Sequence, residues 1–126
     1  MPTRDRILIV DDNAATRYSV RRVLEHHGFR VEEAGTGTDG LVQLKEQDFG
    51  ALVLDVNLPD MSGFDVVRQL REDPRMQLLP VVHVSAASIA TGDLITGPNA
   101  GPDAYLVHPV DPDVLLATLR SLLRAR

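Results

Sequence analysis

Short, continuously apolar runs alternate along this chain with stretches in which apolar residues recur every three or four positions. The runs suit strands buried on both faces of a sheet, and the periodic stretches suit amphipathic helices, so the pattern predicts repeated βα units around a parallel sheet. Strands are expected over residues 7 to 10 (Ile7-Leu8-Ile9-Val10), near Arg30 to Ala34, over 51 to 54 (Ala51-Leu52-Val53-Leu54), over Val81 to Val84 ending at Ser85, and near Ala104 to Val107. The first helix is expected from about Ala14 to His27, with Val20, Leu24 and His27 on one face and Gly28 as its stop. A second spans about Thr38 to Gln47 with Leu41 and Leu44 inward, and a third begins near Ser62 with Val66, Val67 and Leu70 as its apolar face. Ser62 and Asp65 have the spacing of a capping box, with aspartate in place of the usual Glu or Gln. The last helix has Asp111 as N-cap, Pro112 at the first helical position, Asp113 favouring the dipole, and Leu115, Leu119 and Leu122 as a buried stripe.

The stretch between the fourth and fifth strands breaks the rhythm. Ala86 to Pro102 contains Gly92, Gly97, Pro98, Gly101 and Pro102. Glycine costs about 1 kcal/mol and proline about 3 kcal/mol in a helix interior. A fourth helix is therefore expected to be short, over about Ala87 to Ile95, or irregular, and this stretch to be the most mobile part of the domain.

The strand ends carry the chemistry. Asp11-Asp12 follow the first strand and Asp55 ends the third. In an open α/β fold these positions lie at the carboxyl edge of the sheet, where such folds place their sites. Three converging acids repel one another unless a cation intervenes. Hard carboxylate oxygens suit Mg²⁺, which keeps water and phosphate oxygens among its ligands. The constellation suggests a metal-assisted phosphoryl site with an aspartate as possible nucleophile.

Composition narrows the field. The 126 residues make one ordinary domain, and 44% hydrophobic content is enough for one packed core. A net charge of −5 argues against a nucleic-acid surface, and 4% aromatic residues with no tryptophan against stacking platforms for single strands. With no cysteine there is no disulfide, thiol catalysis or thiolate-bound metal. No apolar run approaches a membrane span, and Met1 to Arg6 lacks the apolar stretch of a signal peptide, so a cytoplasmic location with no membrane partner is expected.

Taken together in order, Asp11-Asp12, the segment Leu52-Val53-Leu54-Asp55-Val56-Asn57-Leu58-Pro59-Asp60-Met61-Ser62-Gly63, Ser85-Ala86, and Asp103-Ala104-Tyr105-Leu106 before Pro109 resemble the receiver domain of two-component response regulators. The resemblance covers nearly all of residues 1–126, read as a single receiver domain. It implies a flavodoxin-like, doubly wound five-stranded parallel sheet of order 2-1-3-4-5 flanked by about five helices. It also implies a switch that is not an enzyme beyond its own Mg²⁺-dependent phosphorylation and dephosphorylation. Asp55 would take a phosphoryl group from a histidine kinase, a histidine phosphotransfer domain or a small phosphodonor. Asp12 and Asp55 would ligate Mg²⁺ directly, Asp11 mainly through water, and Asn57 through its backbone carbonyl. Ser85 would hydrogen-bond a phosphoryl oxygen, and Tyr105 would be the aromatic switch that follows it. The readout would reach a partner or an attached output module, with no direct nucleic-acid contact. The chain ends soon after the last helix, so either a stand-alone receiver or a piece of a larger protein is expected.

Two departures from the family pattern stand out. The family places a lysine before the proline after strand five, and this chain has His108-Pro109. An imidazole titrates near neutrality where an ammonium does not, which suggests pH-sensitive phosphorylation or readout. The His108-Pro109 bond is also a candidate cis peptide, as the family often has one there. The Gly/Pro-rich fourth segment is the second departure, and it puts output through that face in question. Gly40 and Gly50 stand where the family more often has alanine and proline, with local consequences only.

Other readings compete. Asp11-Asp12 could be a helix N-cap, Ser85 a strand-end hydrogen bonder, Tyr105 half-buried packing, and Asn57 a turn residue. His83 is expected to be a satisfied buried histidine, His26 and His27 helix-end residues, and Arg68, Arg71 and Arg75 a solvated face. At the level of function, a degenerate receiver that docks partners without phosphate is the alternative. An aspartate-nucleophile phosphatase is disfavoured because Asn57 stands where its acid/base aspartate belongs. A flavin carrier is disfavoured because Asp11-Asp12 would repel a phosphate.

Overall fold

The computed structural model describes residues 4–85 and 103–124. The expected short helix over Ala87 to Ile95, and the mobility expected of that stretch, lie outside the described residues. Elsewhere the chain runs β1 (Arg6–Val10), α1 (Ala14–His26), β2 (Arg30–Ala34), α2 (Gly37–Glu46), β3 (Ala51–Asp55), α3 (Gly63–Glu72), a 3₁₀ turn (Pro74–Met76), β4 (Val81–Ser85), β5 (Ala104–Val107) and α4 (Pro112–Arg124). The five strands form one sheet of order β2-β1-β3-β4-β5, every neighbouring pair parallel. This is the doubly wound, flavodoxin-like arrangement.

Strand alternation divides the core in two. Ile7, Ile9, Ala51, Val53, Val82 and Val84 face one way and pack with Leu24 of α1 and with Leu115, Leu116, Leu119 and Leu123 of α4. Leu8, Val10, Leu52, Leu54 and Val81 face the other way and pack with Leu44 of α2 and with Val66, Val67 and Leu70 of α3. Being covered on both faces is why β1 and β3 read as apolar runs and why β4 is apolar but for His83 and its terminal Ser85.

Local signals set the helix ends. Ser62 caps α3 in a full capping box: its hydroxyl accepts from the Phe64 N–H, and the Asp65 carboxylate accepts from the Ser62 N–H. The Asp111 carboxylate accepts from the Asp113 N–H at 2.9 Å and opens α4. α1 is capped by Asn13, whose side chain accepts from the Thr16 N–H, so neither Asp11 nor Asp12 holds that post. At its far end the chain turns through Gly28 at φ +93°, a left-handed conformation. This ends the helix before His27 can join the Val20–Leu24 face: His27 is exposed, its Nδ1 2.9 Å from the Val23 carbonyl.

Arg71 also departs from expectation. Arg68 and Arg75 are solvated, but the Arg71 guanidinium is tucked in and donates to the carbonyls of Met76, Gln77 and Leu79. It thereby adds a donor to three carbonyls of the turn after α3, of which that of Met76 also accepts from the Leu79 N–H at 3.3 Å. It also reaches Asp103, whose carboxylate accepts from the Val81 N–H at 2.7 Å and joins the start of β4 to that of β5.

Candidate functional site

β1 and β3 are adjacent and in register, Val10 opposite Leu54, so the residues that follow them emerge side by side. Asp11 and Asp55 are both buried there, at 6% and 9% exposure. One oxygen of each is pinned by a nearby amide: the Asn13 N–H donates to Asp11 Oδ1 at 2.8 Å, and the Asn57 N–H to Asp55 Oδ1 at 3.1 Å. The Asp11 carbonyl accepts from Arg17, whose guanidinium also pairs with Glu33 at 2.9 Å. Burial above all, with the Asp11 and Asp12 charges adding to it, raises the Asp55 carboxyl above the ordinary aspartate range against the pull of the Asn57 N–H.

His108 completes the cluster. Its N–H donates to the Ser85 carbonyl at 2.7 Å, tying the end of β4 to the segment after β5. Its Nε2 lies 3.9 Å from Asp11 Oδ2. Asp11, Asp55 and His108 each offer one ligand atom, all within 4.8 Å of one another. The His108-Pro109 peptide is cis, as expected. The chain's single lysine is Lys45, in the last turn of α2.

Asp12 is exposed and lines the same pocket, of about 530 Å³, together with Asn13, Thr16 and Pro109. It stands outside the three-residue cluster. Asn57 is exposed in the loop after β3 and forms an antiparallel bridge with Ser62. Ser85 is buried at the end of β4. Tyr105 is half-buried, directly opposite His83 in register, with ring centroids 5.5 Å apart.

Three contributors carry no role in the sequence pattern, although Asp60 stands within the segment that resembles the family. Asp60 reaches back across 22 residues: its carboxylate accepts from the Gly37 N–H, the Thr38 N–H and the Thr38 hydroxyl at the start of α2. Those hydrogen bonds, the Thr38 hydroxyl first, pull it down to about 2. Phe64 stacks edge-on against His83 with centroids 5.1 Å apart. Arg17 holds the Asp11 carbonyl. An Arg on the first helix with an acid on β2 was the available signal for it, but nothing local marks such a pair as belonging to a site.

The carboxylate oxygens of Asp11 and Asp55 fit a divalent cation, since a dication offsets two negative charges that burial alone makes costly. Among the described residues, no helix is long and apolar enough to cross a membrane.

Comparison with known proteins agrees with this geometry. The family model for the response regulator receiver domain matches residues 7–120. The chain is 40% identical over 118 residues to Response regulator Rre1 of Synechocystis sp., covering 93% of this chain and 51% of that protein. It is 35% identical over 118 residues to Protein PilH of Pseudomonas aeruginosa, covering 94% and 97%. The chain thus spans about half the length of the first relative and nearly all of the second. Among solved structures, a CheY-like receiver domain protein from Methanospirillum hungatei superposes with a TM-score of 0.86 at 32% identity, covering 95% of this chain and 94% of that one. Chemotaxis response regulator CheY4 of Vibrio cholerae gives 0.85 at 29% identity, covering 93% and 97%. With sheet order, acidic edge and sequence all in agreement, the chain belongs to the response regulator receiver domain family.

Proposed function

We propose that this receiver domain is a phosphoacceptor, with Asp55 taking a phosphoryl group from the phosphohistidine of a histidine kinase or phosphotransfer domain. The observation that carries the reading is the pinned Asp55 carboxylate beside Asp11 at the carboxyl edge of the sheet. In the transfer, a carboxylate oxygen of Asp55 forms the new O–P bond. The P–N bond to the donor imidazole breaks, and its electron pair leaves on that nitrogen. The Asn57 N–H holds the other oxygen and so orients the attacking one. Asp11 and Asp55, with Asp12 and the Asn57 carbonyl at the pocket edge, would hold Mg²⁺. When bound, the ion neutralises charge on the transferring group. Ser85, whose carbonyl already binds the His108 N–H, would hydrogen-bond a phosphoryl oxygen, and Tyr105 would follow it as the switch. The output would be a partner or an attached module, in a setting where the domain signals rather than turns over substrate.

The test is intact-mass spectrometry after incubation with acetyl phosphate and Mg²⁺. One phosphoryl adduct on the wild type and none on Asp55→Asn is the expected result. A folded wild-type protein that gains no adduct from pH 6 to 8 would leave Asp55 without the acceptor role.

A further inference from the structure

The acidic pocket contains a nitrogen ligand that Mg²⁺ does not favour. Ligand atoms of Asp11, Asp55 and His108 all lie within 4.8 Å of one another, so one point lies within about 2.8 Å of all three. First-row ions bind imidazole nitrogen and carboxylate oxygen at roughly 2.0–2.2 Å, so side-chain movements of under about 1 Å would close the shell. The backbone that carries the imidazole is already fixed by the His108 N–H bond to Ser85, and Nε2 is the ring nitrogen turned to Asp11. The pocket beyond, lined by Asp12, Asn13, Thr16 and Pro109, leaves room for water or phosphoryl oxygens at the remaining positions.

We propose that Asp11, Asp55 and His108 form a two-aspartate, one-histidine site that holds a first-row transition-metal dication in preference to Mg²⁺, with His108 as a direct ligand. The inference deepens the divalent-cation reading above and rests on it. Imidazole suits Zn²⁺, Fe²⁺, Co²⁺ and Ni²⁺, whereas Mg²⁺ takes oxygen and sheds water reluctantly. A lysine ammonium has donors only and no lone pair to offer, so a lysine at this position would serve the phosphoryl group and not the metal. A histidine gives up the fixed charge and gains a ligand. The two ligating carboxylates also balance the charge of a dication.

The experiment titrates the whole chain with Co²⁺ followed by its visible absorption, and with Mg²⁺ by calorimetry. The exposed neighbours His26 and His27, rings 5.2 Å apart, are replaced by glutamine throughout so that they do not bind the probe. His108→Ala should weaken Co²⁺ by about tenfold or more and alter its absorption bands, with Mg²⁺ affinity little changed. His108→Lys should lose the Co²⁺ bands in the same way, which guards against a folding defect in the alanine variant, while its fixed positive charge lowers the affinity for both ions. Equal Co²⁺ affinity and an unchanged spectrum in both variants would overturn His108 as a ligand while leaving the Mg²⁺ pocket standing. If neither ion binds the wild type, the cation reading itself falls, whatever the result of Asp55 phosphorylation.

Discussion

Between Val82 and Val84 in β4 stands His83, a histidine with no exposed surface. Its Nδ1 lies 3.3 Å from the Leu54 carbonyl, a long contact, and its Nε2 is buried with no hydrogen-bond partner among the described residues. The expectation of a satisfied core histidine is therefore only half met. The reason is that Phe64 and Tyr105 surround the ring with aromatic carbon rather than with donors. Burial pulls its pKa down to about 4, with the Leu54 carbonyl resisting weakly. In the unfolded chain an imidazole titrates near 6.5, so between those values the unfolded state binds a proton that the folded state refuses. Stability from this group is complete above roughly pH 6.5 and is lost as pH falls toward 4, about 3 kcal/mol in all. A leucine of similar volume removes both the proton and the unpartnered nitrogen. His83→Leu should therefore gain on the wild type progressively as pH falls from 7 to 4.5, read as the difference in urea midpoints. A constant difference across that range would show that His83 does not titrate against folding.

At the scale of elements, what was legible in the sequence was what neighbours in sequence decide. The Ser62–Asp65 capping box, the Asp111-Pro112 helix start and the Gly28 stop need only residues within a turn of each other, and each is where the pattern put it. The central strands were legible because covering both faces leaves a mostly apolar run, unlike the edge strand β2, which reads Arg-Val-Glu-Glu-Ala. Of the site, Asp11 and Asp55 could be read from strand ends, and His108 only through the family resemblance, as the residue where the family places a lysine. Arg71, Asp60 and His83 could not, because their partners lie on other elements and the sequence pattern around each fits a plain surface or core residue. The close approach of α3 to β3 belongs with these. A Cβ on Gly63 would lie 2.5 Å from the Asp55 carbonyl oxygen and 2.9 Å from Val56 Cα, backbone atoms that have nowhere to go. On Gly37, at the start of α2, it would meet side chains rather than backbone: Met61 Cγ at 2.5 Å and Sδ at 2.8 Å, and Val66 Cγ2 at 3.3 Å. Gly63→Ala should cost about 1–3 kcal/mol by denaturant unfolding, with Gly37→Ala markedly less. Equal costs would mean that the loop after β3 adjusts as readily as a methionine side chain.

For the whole molecule, the doubly wound order puts β1 and β3 at the centre of the sheet, buried on both faces, and lets both end in acids. The arrangement that buries these two strands on both faces also brings together the charges that oppose it. Asp55 has its carboxyl raised chiefly by burial, so it is a liability when ionised: stability falls as pH rises from the unfolded aspartate range through the folded value, and at neutral pH the cost is present in full. Two changes should relieve it. Asp55→Asn should be more stable than the wild type at pH 7 in EDTA, because it removes the buried charge and keeps the shape. A dication that binds only the folded state should stabilise the wild type by about 2.7 kcal/mol at a free concentration near 100 times its Kd, on the order of 10 °C in Tm for a domain of this size. The same ion should do much less for Asp55→Asn, which lacks one ligand charge. Differential scanning calorimetry of both proteins, with EDTA and with saturating cation, separates the cases. If the cation raised both melting temperatures equally, its stabilising site would lie somewhere other than between β1 and β3.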